Sequence, residues 1–141
     1  MTPEAKQKLK NLLIKHEELK QFPYVDTTGH LTIGIGRNLT TRGISVNESL
    51  YLCDDDIIYF TDKLSQYVTF FNDLSDNRKI CLVDMCFNLG VQGLLGFRKM
   101  FDALEKQDYE TAANEILFSK AAEQCPARYS QLANIMRTDE L

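Results

Sequence analysis

Residues 26–36 read DTTGHLTIGIG. The second half alternates the apolar Leu31, Ile33 and Ile35 with the small Thr32, Gly34 and Gly36. Period-two alternation predicts a strand. Glycine weakens a strand, so two on one face imply something that a side chain there would obstruct. The Asp26-Thr27-Thr28-Gly29 run ahead of it is turn chemistry. The stretch therefore predicts a short β region over about 24–40. Leu31, Ile33 and Ile35 are expected on a small core, with Thr32, Gly34 and Gly36 on an open face.

Helix signals dominate on either side. Thr2-Pro3-Glu4 supplies a capping hydroxyl, a first-turn proline and an acid. Leu9, Leu12, Leu13 and His16 follow at helical spacing, and Glu17 falls near the end of that helix on its apolar side. Pro23 ends the helix by disfavouring helical backbone at Phe22. Ser45-Val46-Asn47-Glu48 is a capping box. Leu50, Cys53, Ile57, Phe60 and Leu64 then predict one long helix to about residue 70. Ser75 caps a further helix, apolar on nearly every side and ended by Gly90 in a left-handed C-cap. Shorter helices are expected over about 92–96, 97–106 and 109–119, and Pro126 opens a last one to about 137.

The chain of 141 residues is 44% apolar and 26% charged, the composition of a globular domain. No apolar run approaches the ~20 residues of a membrane span. The first residues show no secretory leader, so the protein is expected in the cytoplasm of the cell that makes it. Net charge is −4, which argues against a nucleic-acid binder. Residues 1–50 carry seven Lys/Arg and five Asp/Glu, whereas 51–75 carry one Lys and five Asp. Cys53, Cys81, Cys86 and Cys125 include no C-x-x-C pair, and the only histidines are His16 and His30, so reduced thiols and no zinc site are expected.

Several chemistries fail on spacing. Gly34-Ile35-Gly36 lacks the third glycine of a dinucleotide loop, since position 39 is Leu. Asp54, Asp55 and Asp56 on a helix point ~100° apart and cannot converge on one ion. His16 and His30 lack any nucleophile context. Glu17 and Asp26 differ. Partial burial and a helix C-terminus both disfavour a carboxylate at Glu17 and suit it to donate a proton. Asp26, in a solvated turn, suits the activation of water. On spacing alone, Glu18 competes as the acid.

Glu17, Tyr24, Asp26, Gly29, Thr32, Ile33, Gly34 and Gly36 form the pattern E-x6-Y-x-D-x2-G-x2-T-I-G-x-G. This resembles the phage-type lysozymes, glycoside hydrolase family 24. DMCFNLGVQGLLGF (84–97) and CPARYSQLANIMRT (125–138) are similar to the family's central and final helices. The resemblance implies a catalytic Glu, Asp and Thr at spacings of nine and six, which selects Glu17 as general acid. It implies Asp26 as the second carboxylate and Thr32 as the hydroxyl that helps hold the water, with inversion at the anomeric carbon. Tyr24, Gly34, Gly36 and Phe87 are implied at the substrate. Arg128 is implied as the partner of Glu17, and an Arg37–Asp56 ion pair as the tie between the β region and the long helix.

The expected fold is α+β, mostly α, lysozyme-like and two-lobed. It has a small β-sheet lobe at about 14–45, a linking helix at about 46–70, and a helical lobe at about 71–141 that also takes the N-terminal helix 3–13. The implied activity is that of a muramidase or endolysin. It would cut the β-1,4 bond between N-acetylmuramic acid and N-acetylglucosamine without cofactor or metal. Expected partners are peptidoglycan glycan strands, not nucleic acid or a membrane, and the enzyme is expected to be a monomer. A lytic transglycosylase, a chitosan-type glycosidase and a non-catalytic wall-binding module are the alternatives. Two departures stand out. Only six residues separate Asn38 from Ser45, fewer than in the T-even phage branch of the family, and the chain has no Trp.

Overall fold

A computed structural model describes residues 1–141. The order is α1 (Pro3–Glu17), β1 (Lys20–Val25), β2 (Leu31–Gly34), β3 (Arg37–Asn38), α2 (Val46–Tyr67), a 3-10 turn (Phe71–Asp73), α3 (Asp76–Leu95), α4 (Arg98–Glu105), α5 (Tyr109–Leu117), α6 (Lys120–Gln124) and α7 (Pro126–Thr138). Helices hold 67% of the chain against one three-stranded sheet, so the class is α+β and mostly α, as the sequence predicts. No single helix is long and apolar enough to cross a membrane.

The capping signals act at the positions the sequence marks. Thr2 Oγ1 accepts from Ala5 N at 3.1 Å, with Pro3 in the first turn. Ser45 Oγ accepts from Glu48 N at 3.0 Å while Glu48 Oε1 accepts from Ser45 N at 2.9 Å, a closed capping box. Ser75 Oγ accepts from Arg78 N and starts α3. Gly90 breaks α3 with φ +72°, a conformation costly to any residue with a Cβ. The helix resumes for one turn beyond it. The short α6, capped by Ser119, is an addition to the expected elements.

The chain divides into two compact units, Met1–Leu52 and Cys53–Leu141. All of α1 falls in the first unit, whereas the sequence places residues 3–13 with the helical lobe. No residue of α1 is buried. The first unit also holds the antiparallel sheet in order β1-β2-β3. Thr32 sits on the central strand, opposite Tyr24 on one side and Asn38 on the other.

The second unit holds the hydrophobic core. Leu64, Phe71, Leu82, Met85, Leu94 and Tyr129 are among its fully buried side chains. Cys81 and Cys86 are buried free thiols, pushed up to about 12 and about 11 by loss of solvent, and so inert. Cys53 and Cys125 are free but exposed. Buried Arg78, near the start of α3, donates from Nε to Met136 O at 2.9 Å and from Nη2 to Arg137 O at 3.4 Å. It thereby satisfies the last carbonyls of α7.

Candidate active site

Glu17 is the last residue of α1, and Glu18 turns the chain out of the helix with φ +62°. Glu17 is exposed, not partly buried as expected. Its carboxylate lies over Gly36. A Cβ built on Gly36 would stand 3.0 Å from both Cγ and Oε2 of Glu17, and the backbone there has φ +67°. Thus the gap left by the missing Gly36 side chain is filled by the acid itself. Gly34 differs, because open space faces it and its φ of +69° is what requires glycine.

Asp26 opens the turn between β1 and β2. Its Oδ1 accepts from Thr28 N (2.9 Å), Thr28 Oγ1 (2.8 Å) and His30 N (2.8 Å). The His30 amide, then the Thr28 hydroxyl, hold Asp26 below the usual carboxylate range, with a smaller contribution from the Thr28 amide and the His30 ring. Oδ2 accepts no hydrogen bond from the protein. Thr32 Oγ1 donates to His30 O at 2.9 Å, so its lone pairs are what it can offer a further partner.

The phase of the β2 alternation is the reverse of that expected. Thr32 is 3% exposed, while Leu31 is 45% and Ile35 36% exposed. The strand runs only from Leu31 to Gly34, and the positive φ at Gly34 and Gly36 interrupts the pleat. Thr32 is buried on the central strand between Tyr24 and Asn38, and Leu31 and Ile35 are left at the surface. Tyr24, half-buried opposite Thr32, has the Lys20 ammonium 4.3 Å above its ring.

Arg37 pairs with Glu48, not Asp56. Its Nη2 lies 2.6 Å from Glu48 Oε2, and its Nη1 donates to Glu48 Oε1 at 3.0 Å and to Gly43 O at 3.2 Å. The loop from Asn38 to Ser45 is too short to carry Arg37 past the first turn of α2, and the capping box already holds Glu48 there. Asp56 lies eight residues on, about 12 Å along the helix. The pair lines a groove of about 750 Å³ walled by Ile33, Ile35, Ile44 and Tyr51.

This pair has a pH consequence. Arg37, then the Ser45 amide and hydroxyl, hold Glu48 at about 2, against an ordinary 4.5. A depressed carboxylate contributes stability that is complete above its unfolded value and is lost as pH falls through its folded one. Acid unfolding of the wild type should therefore steepen between about 4.5 and about 2. Glu48→Gln should flatten that part of the curve, as followed by circular dichroism. An unchanged curve would show that the pair carries no linkage.

The expected Arg128–Glu17 pair is also replaced. Arg128 Nε donates to Asp84 Oδ1 at 2.8 Å and its Nη2 to Asp84 O at 2.9 Å, a clamp between α7 and α3. Glu17 forms no ion pair. Phe87, on α3, is 42% exposed and packs against Phe60 with ring centroids 5.1 Å apart and ring planes tilted by 60°.

Sequence reasoning missed Thr28, His30, Glu48 and Asp84. Thr28 and His30 left a signal, since an Asp two residues before a Thr at a turn is an Asx-turn pattern, and Glu48 showed itself as a capping residue but not as the partner of Arg37. No cluster of His, Cys, Asp and Glu is arranged to hold a metal ion.

A family model described as phage lysozyme matches residues 14–133. The chain belongs to the phage lysozyme family and is a lysozyme-type glycoside hydrolase at that level. Two curated relatives are both from Dictyostelium discoideum. Probable T4-type lysozyme 2 is 27% identical, over 94% of this chain and 95% of its own length. Probable T4-type lysozyme 1 is 25% identical over the same shares.

Within that family the Gly36–Glu17 contact has a direct test. Gly36→Ala adds a Cβ against a flexible side chain, so Glu17 moves while the fold persists. The left-handed backbone costs about 1 kcal/mol. If Glu17 is the proton donor of the reaction, activity should fall by on the order of tenfold, beyond what the loss of stability explains, because a displaced acid no longer meets its proton acceptor. Parallel melting curves and turnover of solubilised peptidoglycan measure this. Full activity with the expected loss of stability would mean that Gly36 serves backbone conformation alone.

Proposed function

We propose that the protein is a muramidase that hydrolyses the β-1,4 bond between N-acetylmuramic acid and N-acetylglucosamine in peptidoglycan, with inversion. The observation that carries this reading is the division of labour within Asp26. Oδ1 is fixed by three donors in the turn, and Oδ2 is left for a water molecule. The same unit holds Glu17 on the Gly36 backbone and Thr32 on the central strand.

In this reading Glu17 donates its proton to the glycosidic oxygen as the bond to the anomeric carbon breaks. A water attacks that carbon from the opposite face and passes a proton to Asp26 Oδ2. Thr32 Oγ1, whose own proton is given to His30 O, orients the water by accepting its second hydrogen. Tyr24 and Gly34 offer surfaces to the sugars. The glycan strand is the partner. The enzyme acts as a monomer on the cell wall after leaving the cytoplasm of the producing cell.

Inversion is read from the first product. Proton NMR of a chitooligosaccharide or glycan digest should show the α-anomer of the new reducing end before mutarotation. Initial release of the β-anomer would overturn the role given to Asp26.

A further inference from the structure

His30 ties the parts of the water site together. Its backbone N–H donates to Asp26 Oδ1 at 2.8 Å. Its carbonyl accepts both from Asp26 N at 2.9 Å and from Thr32 Oγ1 at 2.9 Å. Its ring nitrogen Nδ1 lies 2.7 Å from Thr28 Oγ1, which is itself 2.8 Å from Asp26 Oδ1.

The protons of this chain can be assigned by elimination. An ionised carboxylate only accepts, so the single hydroxyl proton of Thr28 goes to Asp26. The side of Thr28 Oγ1 facing His30 then presents a lone pair. His30 Nδ1 must therefore carry a hydrogen, and the neutral ring is the Nδ1–H tautomer. The order is His30 Nδ1–H to Thr28 Oγ1–H to Asp26 Oδ1. Protonation of the ring at Nε2 leaves this order intact.

The geometry points to Thr28 and His30 as positioning residues for hydrolysis: their side chains complete the saturation of Asp26 Oδ1, fix the carboxylate plane and direct the attacking water to Oδ2. This rests on the reading of Asp26 as the water-positioning carboxylate. Two backbone amides alone would leave the carboxylate free to rock about its Cβ–Cγ bond. A third donor on Oδ1 exceeds the two lone-pair directions of that oxygen and leaves none for water. The chain thus converts a turn-capping aspartate into one with a single reactive oxygen.

The test compares Thr28→Val and His30→Ala with the donor-preserving Thr28→Ser and His30→Asn. An asparagine amide places an N–H where the imidazole holds Nδ1–H, without charge. Thr28→Val should lose on the order of tenfold in kcat with KM little changed, the value of one hydrogen bond to a charged group, and His30→Ala should approach the same loss because it frees the Thr28 hydroxyl to turn away from Asp26. Thr28→Ser and His30→Asn should restore kcat to within about threefold of wild type, a residue of imperfect hydrogen-bond geometry. Loss confined to KM, no loss in Thr28→Val, or failure of both conservative variants to rescue would each overturn the assignment.

A second arm does not depend on muramidase activity. Long-range proton–nitrogen NMR of the wild type should show His30 as the Nδ1–H tautomer, shifting toward Nε2–H in Thr28→Val. A wild-type Nε2–H tautomer breaks the chain whatever the enzyme does. An intact tautomer in a protein that fails to cut peptidoglycan would instead refute the functional reading.

Discussion

Glu17→Gln is expected to abolish clearing of outer-membrane-permeabilised Gram-negative cells, with a fall in turnover on the order of 10³-fold. The amide keeps the shape of the side chain and its place over Gly36. It removes only the proton that the proposed mechanism gives to the leaving oxygen. Glu17 is neither buried nor ion-paired, so its replacement takes no contact from a core. Melting temperature should stay within about a degree, as for a surface substitution. Equal clearing by wild type and variant would assign the acid elsewhere, with the neighbouring Glu18 the first candidate.

Arg78→Ala is expected to cause the largest loss of stability, about 3 kcal/mol. Arg78 is only 9% exposed and joins α3 to the C-terminus of α7 through several kinds of contact. Its guanidinium donates to Met136 O and Arg137 O, lies 3.6 Å from Asp139 Oδ2, and stacks 3.4 Å from the Tyr109 ring centroid. Asp139, the left-handed cap of α7, is also bound by Ser75 Oγ at 2.5 Å and by Asn77 Nδ2, through its carbonyl, at 2.6 Å. Alanine leaves helix-terminal carbonyls without donors where water has little access, and opens space over Tyr109. For a chain of this size the melting temperature should drop by roughly 10 °C. Arg78→Lys should recover only a small part, because an ammonium lacks the planar fork whose separate nitrogens reach the two carbonyls, and it cannot lie flat on a ring. A shift below about 2 °C in Arg78→Ala would show that the C-terminal helix is held by its apolar face alone.

The local signals were legible because their causes are local. A capping hydroxyl at Thr2, Ser45 or Ser75 needs only the amide three residues on, and the structure places each as read. Gly90 broke its helix for a reason contained in one residue. The pattern from Glu17 to Gly36 was legible as a family motif. What failed was choice among partners. Arg128 and Asp84 are 44 residues apart, and no spacing along the chain announces their clamp. Arg37 took Glu48 because a short loop delivered it to the first turn of α2, where a capping box had fixed a carboxylate. The face of β2 was misread because four residues are too few for alternation to tell inside from outside, once Gly34 and Gly36 bend the chain at its end.

The Gly-rich face of DTTGHLTIGIG consequently means something narrower than open ground for a ligand. Gly36 makes room for Glu17, and Gly34 supplies a bend with open space before it. The turn before them fixes one oxygen of Asp26 and leaves the other. An acid and a half-satisfied carboxylate, held on one small sheet unit, are the parts that hydrolysis of a glycosidic bond requires.

The most direct measurement is mass spectrometry of muropeptides released from purified peptidoglycan by the wild-type protein. The account predicts disaccharide–peptides that end in reducing N-acetylmuramic acid, each heavier by one water than the repeat within the strand. Products ending in 1,6-anhydro-N-acetylmuramic acid would contradict it, because no water would then have been delivered by Asp26.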